Sequence, residues 1–345
     1  MNWELIFSSS LSQAFGAGVV VYALAAIGLN VQFGYTGLLN FGQAAFSAMG
    51  AYGLALGVVT LGLPFWPSVG LGLVAAVALA VLLGVSTLRL RADYLAIATV
   101  AAAEVIRRVL RSVSLSEVTG GAEGLRGFSD TFREYGWAIG DFLLRLGIDS
   151  QLQRGGSLRV GPFFYTGTEL WVMIVGWTIV AACLVLVWLA MRSPWGRVLK
   201  AIREDEDAVR SLGKNAFSYK IQSLVLGGVI GALAGFLLAV RQGNVAPDNF
   251  HTQFTFYLYS VLILGGVARI FGPVVGAILF WFLFNFLTNF LSELSRSGIL
   301  PAGVLDSTQV GSIVFVMLGA GIILILIFRP EGIFGDRREI SLDVR

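Results

Sequence analysis

The chain has 345 residues, of which 56% are hydrophobic and only 13% charged, with a formal net charge of +3; its mean hydropathy is +0.80. Soluble domains carry about 25% charged residues, so this composition excludes a mostly water-facing surface and suits lipid, where a buried charge is expensive. Length alone would allow two soluble domains, but the long apolar runs point to one helical bundle.

One cysteine, Cys183, and one histidine, His251, offer neither an intrachain disulfide nor a Cys/His metal cluster. His251 reads as a packed or loop residue. The small positive charge bears on orientation in a membrane rather than on nucleic acid. The opening MNWELIFSSSLSQAF lacks a basic n-region and an adjacent small-residue cleavage site, so it reads as retained.

A crossing helix needs about 20 apolar residues, and unbroken runs without dyad alternation exclude a barrel. Nine candidate spans follow along the chain: 11–30, 37–61, 69–88, 94–110, 169–191, 221–240, 254–270, 274–291 and 310–328. The count is taken as nine, within eight to ten. The whole of 1–345 reads as a single transmembrane domain of all-α class. Segment 192–220 carries Arg192, Arg197, Lys200, Arg203, Arg210, Lys214 and Lys220. Placing it in the cytoplasm puts Arg269 and the C-terminus there too, and the N-terminus and segment 112–168 outside. Arg107, Arg108 and Arg111 then fall on the wrong side, which implies either an incomplete crossing or acidic partners in the loop. Within 112–168, FREYGWAIGDFLLRLGI has apolar residues at helical spacing flanked by charges, and is expected to lie as an amphipathic helix at the interface. A short tenth span is the alternative.

Three segments carry candidate function. GYTGLLNFGQAAFSAMGAYG holds five glycines, with Asn40 and Gln43 three residues apart and expected on one helix face. The pattern suits a helix broken beside a cavity, or close packing with polar glue. TGGAEGLRGF contributes Thr119, Gly120 and Gly121, a turn or close backbone approach. SPWGRVLKAIREDEDAVRSLGKNAFSYK starts a helix at Pro194. Val198, Ala201 and Ile202 fall on one face, Gly213 breaks the helix, and Asn215 and Ser218 start the next. The expected form is two short helices joined by a glycine turn, docking a soluble partner. Glu104 is the one carboxylate inside the fourth span. It is a functional candidate by position, although Arg107 and Arg108 at i+3 and i+4 make a salt bridge the simpler account. No nucleophile–base set, HExxH or phosphate loop is present.

Taken together, GLNVQFGYTGLLNFGQAAFSAMGAY, LRLRADYLAIATVAAAEVIR, TGGAEGL, SPWGRVLKAIREDEDAVRSLG, LAGFLLAV and FRPEGIFG resemble, in order and spacing over 22–335, the permease subunits of branched-chain amino acid ABC importers, specifically the LivM type. The resemblance implies the ABC-importer permease architecture, in a multi-pass protein of a bacterial or archaeal plasma membrane. The group's EAAxxxG coupling pattern is matched by Asp207, Ala208, Val209 and Gly213, with Asp for Glu and Val for the second Ala. It implies that Arg203, Glu204, Asp205, Asp207, Ala208 and Gly213 face an ATPase. The implied partners are a LivH-type second permease, two ATPases that use ATP and Mg, and an extracytoplasmic substrate-binding protein. No cofactor is implied in this chain. Related permeases serve branched-chain or other neutral amino acids, or urea and short amides. A stand-alone ion-coupled transporter, with Glu104 as its coupling group, is the competing class.

Overall fold

The computed structural model describes residues 3–90, 92–145, 152, 156–160, 163–296 and 307–328. Expectations about the tail after Phe328, including most of FRPEGIFG and the side on which the C-terminus lies, fall outside the described residues.

Helix α1 (Trp3–Phe15) and helix α2 (Ala17–Leu29) meet at Gly16. The predicted span 11–30 is therefore two helices. Gly16 takes an extended conformation, φ −68° and ψ 171°, and glycine loses most on entering a helix. Helix α2 runs on through a π-helical turn, Asn30–Tyr35. Residues 36–42 are not helical, so the predicted span 37–61 is helical only as α3 (Gln43–Val59). Next come α4 (Phe65–Thr87), which begins after Pro64, and α5 (Ala92–Leu110).

The 112–168 segment is more structured than a loop. It holds a 3-10 turn (Val113–Leu115), α6 (Ser116–Thr119), β1 (Leu125–Arg126), α7 (Asp130–Arg145) and the hairpin β2 (Ser157–Val160) with β3 (Phe163–Thr166). A capping box between Thr166 and Glu169 starts α8 (Gly167–Arg192). Then follow α9 (Pro194–Glu204), α10 (Glu206–Ser211) and α11 (Ala216–Gln242). Strand β4 (Asn244–Val245) pairs antiparallel with β1. A 3-10 turn (Pro247–Phe250) precedes α12 (Thr252–Gly265), α13 (Gly272–Arg296) and α14 (Ser307–Phe328). The fold is helical as expected, with two short two-stranded pairs added.

Five of the described helices are long and apolar enough to cross a membrane: Ala17–Tyr35, Phe65–Thr87, Gly167–Arg192, Ala216–Gln242 and Gly272–Ser295. Gln43–Val59 and Gln309–Ile325 are apolar but shorter. Helices α2, α3 and α11 form the core. Residues 17–35 and 216–242 are mostly buried, whereas α4 and α8 expose much of their apolar surface. Core backbones touch at glycines: a Cβ on Gly28 would strike the Gly227 carbonyl, and one on Gly235 the Ser47 carbonyl. Small residues permit this approach, which van der Waals contact then rewards.

Helix α7 has the expected amphipathic form. Phe132 is buried against Phe65, Trp171 and Phe236, while Tyr135, Ile139 and Phe142 are exposed. Its 16 residues make about 24 Å of helix, short for a crossing. The misplaced arginines have acidic partners. Arg107 binds Glu104 at 2.7 Å and Asp248 at 2.9 Å, Arg108 binds Glu104 at 2.9 Å, and Arg111 binds Asp248 at 3.2 Å. Among the described residues the offsetting carboxylates come from α5 itself and from the turn after β4, not from 112–168.

Candidate functional site

The interrupted span is held by side-chain amides. Between the π-helical turn and α3 the chain runs through the buried interior without a helical hydrogen-bond ladder, and backbone groups at that depth must still be paired. Asn40 Oδ1 accepts from Gly42 N (2.8 Å), Thr99 Oγ1 from Phe41 N (3.0 Å), and Thr255 Oγ1 from Ala44 N (3.0 Å). The Tyr259 hydroxyl donates to Asn40 O (3.1 Å). Asn40 Nδ2 donates to Gln32 Oε1 (2.7 Å), and Gln32 Nε2 to Leu224 O (3.1 Å). Gln43 Nε2 donates to Gly227 O (3.1 Å). Thr36 and Ser223 hydroxyls lie 2.6 Å apart. Every one of these side chains except Tyr259 is buried to within 2% of full.

Asn40 and Gln43 do not share a helix face as the spacing suggested, because Asn40 lies before the helix and Gln43 is its first residue. The partners Gln32, Thr99, Thr255 and Tyr259 were not singled out from sequence. Gln32 had a signal, an amide inside an apolar run; the others come from distant helices and had none.

Thr119, Gly120 and Gly121 sit at the far end of α3. Thr119 is buried and donates to Leu110 O (2.8 Å) and Leu115 O (2.9 Å), and Thr60 Oγ1 donates to Val118 O (3.2 Å). Gly120 and Gly121 take left-handed conformations, φ 75° and 56°. The 17 residues of α3 separate them from Gln43 by about 25 Å.

The charged segment forms a compact element at the opposite end of the bundle. Ser193 caps α9, with Pro194 in its first turn. The break falls at Asp205 rather than at Gly213: Asp205 Oδ1 accepts from Asp207 N and Ala208 N, both at 2.9 Å, and so caps α10. Gly213, φ 74°, ends α10, and Asn215 Oδ1 accepts from Ser218 N (3.2 Å) to start α11. Leu199, Ile202 and Val209 are buried beneath, but Ala201 is exposed, one position outside the expected face. Glu206 pairs with both Arg210 and Lys220. Glu204, Asp205, Asp207, Ala208 and Gly213 are solvent-facing, beside a Leu212 that is 80% exposed.

This element grips the interrupted region. Arg203 Nη1 donates to Gly34 O at 2.6 Å, and Lys200 Nζ lies 5.8 Å from the Tyr35 ring centroid. Both contacts fall on the π-helical turn, a geometry frequent at functional sites. From the same turn, Asn30 Nδ2 donates to Arg269 O (2.8 Å) and Asn30 Oδ1 accepts from Ala268 N (2.9 Å). That clamp holds Ala268 at φ 59°, a conformation costly without glycine. Glu104 is committed to Arg107 and Arg108 near the other end.

The family model "Branched-chain amino acid transport system / permease component" matches residues 15–327. The high-affinity branched-chain amino acid transport system permease protein LivM of Escherichia coli (strain K12) is 32% identical over 91% of this chain and 68% of its own. LivM of Salmonella typhimurium is 31% identical over the same shares. The probable LivM of Methanocaldococcus jannaschii is 24% identical over 93% and 92%. With the family model covering most of its length, the chain belongs to the family of permease components of branched-chain amino acid transport systems.

Proposed function

We propose that this chain moves branched-chain amino acids into the cytoplasm as one of two permeases in an ABC importer. A LivH-type permease is its partner, two ATPase subunits use ATP and Mg, and an extracytoplasmic binding protein delivers the substrate. The observation that carries this reading is the Arg203–Gly34 contact. It joins an exposed, capped pair of helices to a part of the core where a helix is interrupted.

On this reading the ATPases close on the face of Glu204, Asp205, Asp207, Ala208, Leu212 and Gly213. Displacement of α9 and α10 pulls the π-helical turn through Arg203 and Lys200. The turn passes the motion to 268–269 through Asn30, and to the start of α3 through Gln32 and Asn40. A rigid element moving against a bistable one is the kind of change that opens a path. Asn40 and Gln43 then border the path at mid-depth, and Thr119 to Gly121 its outer mouth.

The second permease covers α5. Between Asp93 and Glu104 that helix has ten uncharged residues, about 17 Å of rise against a hydrocarbon core of about 30 Å. Yet Tyr94, Ile97 and Val105 are exposed, so this face needs protein or water beside it rather than lipid.

The test is substitution of Asp207→Ala or Gly213→Pro in the assembled transporter. Both variants insert and assemble, ATP hydrolysis continues, and amino acid uptake falls at least tenfold. Full uptake by both would reject the coupling role. The ion-coupled alternative requires uptake by this chain alone in liposomes without ATP, and the Glu104 ion pairs count against it.

A further inference from the structure

A cavity of about 430 Å³ opens where α8 ends, α9 passes and α13 begins. Arg192, Lys200 and Arg269 line it, together with Trp188, Ile270 and Phe271. No carboxylate does so among the described residues. Arg192 Cζ lies 4.1 Å from the Trp188 ring centroid, and Lys200 faces the Tyr35 ring. Neither cation forms an ion pair among the described residues. Gly272, the first residue of the 25-residue α13, also borders the space, and the N-terminal end of a helix favours an anion.

The apolar side of the cavity is as informative as the charged side. Phe271 is 67% exposed and Trp188 36% exposed. Trp188 lies one turn from the end of α8, where aromatic side chains mark the headgroup level of a bilayer. Three cations, an apolar wall open to the outside, and a position at the end of a crossing helix fit one ligand chemistry: a phosphate carrying hydrocarbon chains. Basic pockets between membrane helices bind such headgroups.

We propose that this cavity seats the phosphate of an anionic phospholipid, whose acyl chains run along Trp188, Ile270 and Phe271. The seat joins three pieces of the chain: α8 and α9, which pack on each other, and the turn before α13. Arg192 belongs to α8, Lys200 to α9 and Arg269 to the turn before α13. A lipid held there fixes α9 to the bundle and makes the conformation of α9 depend on the charge of the membrane.

The full chain is reconstituted in vesicles of phosphatidylcholine alone, of phosphatidylcholine with phosphatidylglycerol, and of phosphatidylcholine with phosphatidylglycerol and added inorganic phosphate. Retained lipid is then read by native mass spectrometry after gentle extraction. Phosphatidylglycerol should be retained selectively. Arg192→Gln and Lys200→Gln should each lower its retention about fivefold, and removal of all three cations by about a hundredfold. The single variants keep the test sound if the triple variant folds poorly. Equal retention of both lipids, or singles that behave like the parent, overturns the site. Displacement of phosphatidylglycerol by inorganic phosphate alone overturns the lipid as its occupant.

Discussion

Asn40 shows what a buried amide does in a membrane protein that lacks a local ladder. It supplies an acceptor to Gly42 N and a donor to Gln32 Oε1, two groups with no water to turn to. An unpaired buried group costs about 1–3 kcal/mol, so Asn40→Leu, which keeps the volume and removes both bonds, should destabilise the chain by about 2–5 kcal/mol. Thermal unfolding in detergent measures it. Ser86→Ala is the matched control: Ser86 Oγ only returns to Leu82 O on an exposed helix face, and its loss should leave the midpoint within about 0.5 kcal/mol of the parent. A destabilisation by Asn40→Leu no greater than that of Ser86→Ala would mean that the break is held by packing alone.

At the scale of elements, α9 and α10 depend on their caps. Six residues of α10 cannot hold a helix by propensity, since an isolated helix this short is marginal. Asp205→Ala removes both capping bonds and should cost about 1 kcal/mol, expressed as faster amide exchange across 206–211 with α9 and α11 unchanged. Uniform exchange across all three would show that tertiary contacts, not the cap, hold α10. The same segment shows how far sequence reading reached. Pro194 and Asn215 announced their helix starts because such start signals are local chemistry. Asp205 carried the same signal, but in REDED it read as one charge among several. The extent of the break before α3 was invisible for another reason. Nothing in LLNFGQ forbids a helix; only Thr99, Thr255 and Tyr259, brought in from α5 and α12, make the non-helical path affordable. Interruption near Asn40 was legible from its glycines and amides, but its extent was set by residues about 60 and 215 positions away.

The whole molecule has two unlike ends. One carries Arg192, Arg197, Lys200, Arg203, Arg210, Lys214, Lys220 and Arg269. At the other, Arg107, Arg108 and Arg111 are paired with Glu104 and Asp248. The orientation rule counts lysine and arginine near span ends and gives little weight to acidic residues; Arg126, Arg133, Arg145, Arg159 and Arg241 add to the second end, but the first end alone gathers seven cations into one stretch of 29 residues, 192–220. That end should therefore face the cytoplasm. Cys183 is buried, so its replacement by serine gives a background for single-cysteine labelling. In that background Leu212→Cys, in the exposed turn after α10, should react with an impermeant maleimide only in inside-out vesicles. Glu117→Cys, in α6, should react only in intact cells. Val81→Cys, on the outward apolar face of α4, should react in neither, because lipid covers it. Labelling of Leu212→Cys and Glu117→Cys from the same side would require an even number of crossings between α6 and α10, whereas among the described residues α8 alone lies between them as a helix long and apolar enough to cross. Such a result would turn α7 into a crossing helix, despite its 16 residues, and would reverse the outer position given to the 112–168 segment.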